Sequence, residues 1–207
     1  MNKPDTTPDR LLATARKLFA ERGYAATSVR DITAKARTNL GAVTYHFGSK
    51  EALYQAALLQ MVEPMSEQVI QLASAPGPAL DRVEALVDFY YRYLHAHPEL
   101  PRFMLQILTE QGPLPKALAQ SQNNQRLAVM ALIERGQREG QIRQGPIPVI
   151  GMSIISQPIY FMLARRVITQ IVGINPDDPA IVEAASRHAR AIVRQGIAAD
   201  PKGGTPA

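Results

Sequence analysis

Apolar residues recur at helical spacing along almost the whole chain, and strand-like alternation is nearly absent. Between Pro8 and Arg22, Leu11, Leu12, Ala15, Leu18 and Phe19 fall on one helix face. Thr7 or Asp5 is placed to cap this helix and Gly23 to end it. A second, short helix is predicted from Val29 to Ala36. Ser28 or Thr27 caps it, Asp31 completes a capping box, and Val29, Ile32 and Ala36 point inward. A third is predicted from Leu40 to His46, with Asn39 as its cap. A long fourth, from Lys50 to Ala73, contains Pro64 and should bend there. Glycine and proline cut the remainder into five more segments, at about 79–96, 100–110, 115–139, 149–172 and 177–198. The expected architecture is therefore all-α, with about nine helices and a Gly/Pro-rich disordered tail at 200–207.

The second and third segments carry the functional information. Two short helices joined only by Arg37, Thr38 and Asn39 form the layout of a helix-turn-helix, with the first helix as its support. Val43 and Phe47, four residues apart, dock the third helix onto the other two. Its other face presents Asn39, Ala42, Thr44, Tyr45 and His46, residues able to meet base edges, sugars and phosphates. Lys50 is placed for a phosphate contact at the start of the fourth helix.

Charge supports this assignment. The 207 residues hold 23 Lys+Arg and 18 Asp+Glu, a formal charge of +5. Residues 1–50 contain nine basic and four acidic residues, so the whole surplus lies there and residues 51–207 are neutral. A basic first quarter on a neutral body points to an anion-binding module, and with the helix pattern to nucleic acid. The division expected is a DNA-binding domain at 1–50 and a helical body at 51–199.

Other chemistries are disfavoured. There is no cysteine, which excludes disulfides, thiolate metal sites and a cysteine nucleophile, and fits a cytoplasmic protein. His95 and His97 are two apart on one helix and cannot share a face, so no metal or cofactor is expected. No nucleophile elbow, phosphate loop or His-Glu-x-x-His occurs, so no enzyme is expected. The 18 uncharged residues from Ile147 to Ala164 include Pro148, Ser153, Ser156, Gln157 and Pro158, and read as a buried helix rather than a membrane span. The body is rich in Phe89, Tyr90, Tyr93, Phe103, Met104, Met130 and Tyr160, side chains that suit an apolar ligand pocket as well as a plain core.

Three stretches carry a family resemblance: Leu18 to Tyr24, Thr27 to Ile32, and Asn39 to Tyr54 with its Tyr45-His46-Phe47-Gly48-Ser49-Lys50 run. Residues 10–54 resemble the DNA-binding domain of the TetR family of bacterial transcriptional regulators. The chain departs from the common pattern at Arg37-Thr38, often Gly-Val, and at Thr44, often Tyr. The resemblance implies phosphate contacts from Thr27, Ser28 and Arg30. It implies base or groove-wall contacts from Thr38, Asn39, Ala42, Val43 and Thr44, and a grip on the backbone from Tyr45, His46 and Lys50. It also implies a cytoplasmic homodimer made by the eighth and ninth predicted helices, binding a palindromic double-stranded operator. A small-molecule effector would release it, with Phe89, Tyr93, Phe103, Met104, Met130 and Tyr160 as candidate pocket residues. The segment 149–172 supports dimerisation by itself, because it is apolar nearly all round. The competing reading is an all-α interaction or sensor module that no longer binds DNA, and the intact Tyr45-His46-Phe47 run and Lys50 speak against it.

Overall fold

The computed structural model describes residues 6–101, 103, 105 and 115–200. Among these the chain is helical, with a single isolated bridge between Ile142 and Ala198 and no strand. The helices are α1 (Thr7–Arg22), α2 (Val29–Lys35), α3 (Ala42–Phe47), α4 (Lys50–Ser74), α5 (Ala79–Ala96), α6 (Lys116–Arg138), α7 (Ile147–Leu163) and α8 (Pro179–Ile197). One further turn, Arg165–Val167, runs into a π-helical stretch, Ile168–Val172. Most of the helix predicted at 100–110, together with Met104, Asp5 and tail residues 201–207, lies outside the described residues.

The chain forms two compact units. The first takes residues 1–64 and 102–121, the second residues 65–101 and 122–207. The boundary expected at residue 50 therefore falls inside the first unit. The reason is the start of α4, where Tyr54 packs edge-on against Phe19 at 5.0 Å and meets Tyr24 at 4.9 Å and Phe103 at 6.2 Å between ring centroids.

In the first unit, α1 is capped by Thr6, which lies between the two expected caps, Asp5 and Thr7. Thr6 exchanges hydrogen bonds with Asp9, and Pro8 occupies the first turn, where its missing N–H costs nothing. Leu11, Ala15, Leu18 and Phe19 are buried, as the spacing requires. Ser28 and Asp31 form the expected capping box of α2. The third helix starts two residues late. The Asn39 carbonyl, not its side chain, accepts the Ala42 N–H in a turn, and Gly41 becomes the cap with no side-chain bond. Between α2 and α3, Arg37 adopts φ 54°, a left-handed conformation unusual for a residue other than glycine.

In the second unit, α5 is the central element and packs against α7 and α8. Val83, Leu86, Val87, Leu132, Ile133, Ile142, Ile150, Ile154, Val182 and Val193 form its apolar core. Each such burial contributes roughly 1.5–3 kcal/mol. Gly136 is required by close packing: a Cβ there would lie 2.8 Å from the Ala79 Cβ and 2.5 Å from Ile142. Along the α5–α8 seam, Arg194 pairs with Asp81 and Glu84, and Arg92 with Asp88 and Glu183. Burial would raise the Asp88 pKa, but hydrogen bonds from Arg92 and Ser186 outweigh it and hold it below the ordinary value.

The predicted helix 149–172 is broken. Its α-helical part ends at Leu163, where Ala164 keeps its N–H bond to the Tyr160 carbonyl but takes ψ 6°, and the chain bends by 56°. No single described helix is long and apolar enough to cross a membrane. Within α7, Ile150, Ile154, Pro158 and Met162 repeat every four residues and are buried. Val149, Met152 and Tyr160 lie on the opposite face and are 57%, 67% and 69% exposed.

Candidate nucleic-acid interface

The helix-turn-helix is assembled from inside outward. Val43 is 1% exposed and Ile32 fully buried, and α3 contacts both α1 and α2. With that face fixed, helical geometry turns Thr44, Tyr45 and His46 to solvent. Tyr45 stands at 85% exposure, its ring edge-on to His46 at 4.8 Å. A ring so exposed contributes little to the packing of this unit and is open to a partner. Asn39 and Arg30 are also exposed. Thr38 is half-buried, and its hydroxyl makes only a long bond, 3.5 Å, to the Thr33 carbonyl.

Lys50 lies where the turn re-enters a helix. Gly48 takes φ 81°, and the Ser49 hydroxyl accepts the Ala52 N–H at 3.0 Å to cap α4. The Lys50 ammonium sits 4.2 Å from the centroid of the Tyr24 ring. This cation–π contact orients the charge without neutralising it, so Lys50 still offers a positive charge to an anion.

Three of the expected contact residues, Thr27, Ala42 and Val43, are buried. Thr27 is 0% exposed, and its hydroxyl donates to the carbonyls of Gly23 at 2.8 Å and Leu18 at 3.3 Å. It fastens the corner between α1 and α2 and has no free edge for a phosphate. Ala42 is 5% exposed and faces the supporting helices rather than a groove. Ser28 is exposed, but its hydroxyl is held by the Asp31 carboxylate. The same bonds, first from the Ser28 side chain and then from its backbone, lower the Asp31 pKa. One residue that the sequence reading left without a role is Leu40, 55% exposed beside the start of α3. Its signal was available: it breaks the capped-helix pattern by being apolar where a polar residue costs nothing. Apolar contacts of this kind fit thymine methyl groups.

The candidate effector-pocket residues lie on several elements, and Met104 lies outside the described residues. Phe89 and Tyr93 share a face of α5, with centroids 5.2 Å apart, and Tyr93 stacks on His97 at 4.3 Å. Met130, on α6, is engaged by Arg126. Tyr160 points outward from α7, and Phe103 is fully buried in the first unit. The body also holds a buried polar chain that sequence spacing does not reveal. Ser66 donates to Gln125 at 3.0 Å, and Gln125 donates to the Tyr90 hydroxyl at 2.8 Å. All three residues are less than a tenth exposed, and burial pushes the Tyr90 pKa well up. Among the described residues no group of three or more acidic, histidine or cysteine side chains forms a metal site.

Residues 11–57 match the model of bacterial regulatory proteins of the tetR family, and residues 80–193 match that of a tetracyclin repressor-like C-terminal domain. A probable HTH-type transcriptional regulator of Bacillus subtilis, YttP, is 23% identical over 84% of this chain and 86% of its own length. The HTH-type transcriptional repressor Rv3405c of Mycobacterium tuberculosis is 40% identical, over 41% of this chain and 42% of its own. Among solved structures, the Bacillus subtilis transcriptional regulator FadR in complex with stearoyl-CoA superposes with a TM-score of 0.73. Its identity is 15%, over 91% of this chain and 98% of that one. These matches describe transcriptional regulators rather than enzymes. With a matched family model at each end and the helix-turn-helix in place between α2 and α3, the chain belongs to the TetR family of DNA-binding transcriptional regulators.

Proposed function

We propose that this protein is a cytoplasmic, ligand-responsive repressor that binds a palindromic operator as a homodimer and leaves it when a small molecule binds the body. The observation that carries the reading is the exposed face of α3, centred on Tyr45, on the one part of the chain with a positive surplus. Arg30 and Lys50 would meet phosphates and set the register, with Ser28 joining them by exchanging its Asp31 partner. Thr38, Asn39, Leu40, Thr44, Tyr45 and His46 would meet bases, sugars and groove walls.

Dimerisation is supported by the two-faced character of α7. Val149, Met152 and Tyr160 leave an apolar stripe in water, while the neighbouring face of α8 presents Ala184, His188, Ala191 and Ile192. A second copy packed on α7 and α8 would bury both. Two heads would then read half-sites roughly 34–36 Å apart, one turn of DNA. The stearoyl-CoA-bound relative supports a body that takes a small molecule. An effector releases the operator only by favouring a head arrangement that fits it less well, and α4, continuous from Lys50 to Ser74 through Pro64, is the element that would carry the change.

The test combines footprinting with sedimentation. The wild-type chain should sediment as a dimer and protect two half-sites in the DNA upstream of its own gene. Met152→Glu should sediment as a single folded chain and lose the paired footprint. A wild-type single chain with full operator affinity would refute the dimeric reading.

A further inference from the structure

A depression of about 380 Å³ opens on the flank of α7, lined by Tyr91, Ser156, Gln157, Tyr160 and Phe161. Its base is aromatic, with the Tyr91 and Phe161 rings 5.6 Å apart. Tyr91 is 3% exposed, yet its hydroxyl forms no hydrogen bond with any described residue. Burial, unrelieved by any partner, pushes its pKa up to about 12, so it is a neutral donor at any physiological pH. The side chains of Ser156 and Gln157 likewise make no hydrogen bond to a described residue. A donor at the base, a hydroxyl and an amide at the rim, and aromatic walls are the usual constituents of a small-molecule site.

The lining also selects the ligand. None of the five side chains carries a charge, so an ionised molecule would lose its hydration here without a counter-charge to replace it. Tyr91, Phe161 and Tyr160 offer ring surfaces to a flat molecule, and the three unengaged polar groups offer both donors and an acceptor. The open side adjoins the apolar stripe of α7. Val149, Met152, Ser156 and Tyr160 follow one another at intervals of three and four residues along a single face.

We propose that this depression binds a neutral aromatic molecule bearing a hydroxyl or amide group, and that a second copy of the chain closes its open side. The closure rests on the dimeric reading above, whereas the site itself is contributed by one chain.

The probe is 2-naphthol, a fluorescent phenol that is uncharged at pH 7, titrated into the full-length protein, with naphthalene-2-sulfonate as the ionised counterpart. The expected result is saturable binding of one 2-naphthol per chain and much weaker binding of the sulfonate. Tyr91→Phe keeps the ring and its volume but removes the hydrogen bond, so affinity should fall about tenfold. Gln157→Leu should weaken binding in the same direction. Absence of saturable 2-naphthol binding overturns the proposal, as do unchanged affinity in both variants or equal affinity for the sulfonate. The closure is read separately by sedimentation of the same samples. Met152→Glu lies outside the lining, and as a single chain it should bind 2-naphthol more weakly. Undiminished affinity there overturns the closure. A wild-type chain that sediments as a monomer overturns the dimeric reading and the closure together, and leaves the site to be judged by Tyr91→Phe.

Discussion

Thr27→Val separates a structural threonine from a DNA-contacting one. The substitution preserves shape and removes only the hydroxyl, which at 0% exposure donates to the carbonyls of Gly23 at 2.8 Å and Leu18 at 3.3 Å. The two bonds are unequal. Leu18 lies inside α1, where its carbonyl is already positioned for the helix ladder, so the threonine takes up a second lone pair. Gly23 ends α1 and its carbonyl has no ladder to fall back on, so most of the cost falls there. A neutral hydrogen bond lost at a buried site costs about 1–2 kcal/mol, partly offset because Val is more apolar than Thr. The expected loss of stability of the first unit is therefore about 1 kcal/mol, measured by urea denaturation of the full chain followed by circular dichroism. Operator affinity measured well below the denaturation midpoint should stay within a factor of about two, because no phosphate-facing group is removed. A variant as stable as wild type that binds operator several-fold more weakly would refute the placement of Thr27 and return it to the interface.

Three other substitutions test local claims. Arg37→Gly relieves a left-handed backbone that costs about 1–2 kcal/mol in a non-glycine residue, against roughly 0.5–1 kcal/mol of added chain entropy. The DNA-free protein should therefore be equally stable or up to about 1.5 kcal/mol more stable, and clear destabilisation in urea would contradict the strain argument. Asp31 is held below its ordinary pKa of 3.8 by Ser28, so its contribution to the α2 cap is complete above that value and lost as pH falls through the lowered one. Asp31→Asn should thus flatten the acid limb of the stability profile below about pH 4, and an unchanged limb would contradict the assignment. In the body, Gln125→Leu leaves the buried Tyr90 hydroxyl unpaired and should cost about 1–3 kcal/mol. Adding Tyr90→Phe should recover part of that loss, and a double variant no better than additive would argue against the coupling.

The parts of this fold that the sequence made legible are those governed by local rules. The capping box of Ser28 and Asp31, the apolar spacing of Leu11, Ala15, Leu18 and Phe19, and the exposure of Tyr45 all follow from interactions within four residues. The readings that failed depend on contacts between distant segments or on backbone geometry. Thr27 reads as an N-terminal helix residue until the carbonyl of Leu18, nine residues earlier, is brought to it. Asn39 reads as a cap, but a turn closed through its own carbonyl moves the helix start to Ala42. The uncharged run from Val149 to Ala164 gives no sign of the bend at Ala164. The unit boundary lies at Pro64 because Tyr54 is held by the rings of Phe19 and Tyr24, a packing fact absent from charge counts. Aromatic content marks a core or a cavity equally, and only packing decides which.

The most direct test of the central claim is the salt dependence of operator affinity for the wild-type chain and for Tyr45→Ala. Tyr45 is 85% exposed, so its removal should leave the denaturation curve of the free protein unchanged. For the wild type, the logarithm of affinity should fall linearly with that of salt, with a slope of about −0.9 for each phosphate neutralised. Tyr45→Ala should bind about tenfold or more weakly at every salt concentration with nearly the same slope, because the tyrosine contributes a contact but no charge. Wild-type affinity that ignores salt, or Tyr45→Ala binding as tightly as wild type, would contradict the assignment of the exposed α3 face as the surface that holds DNA.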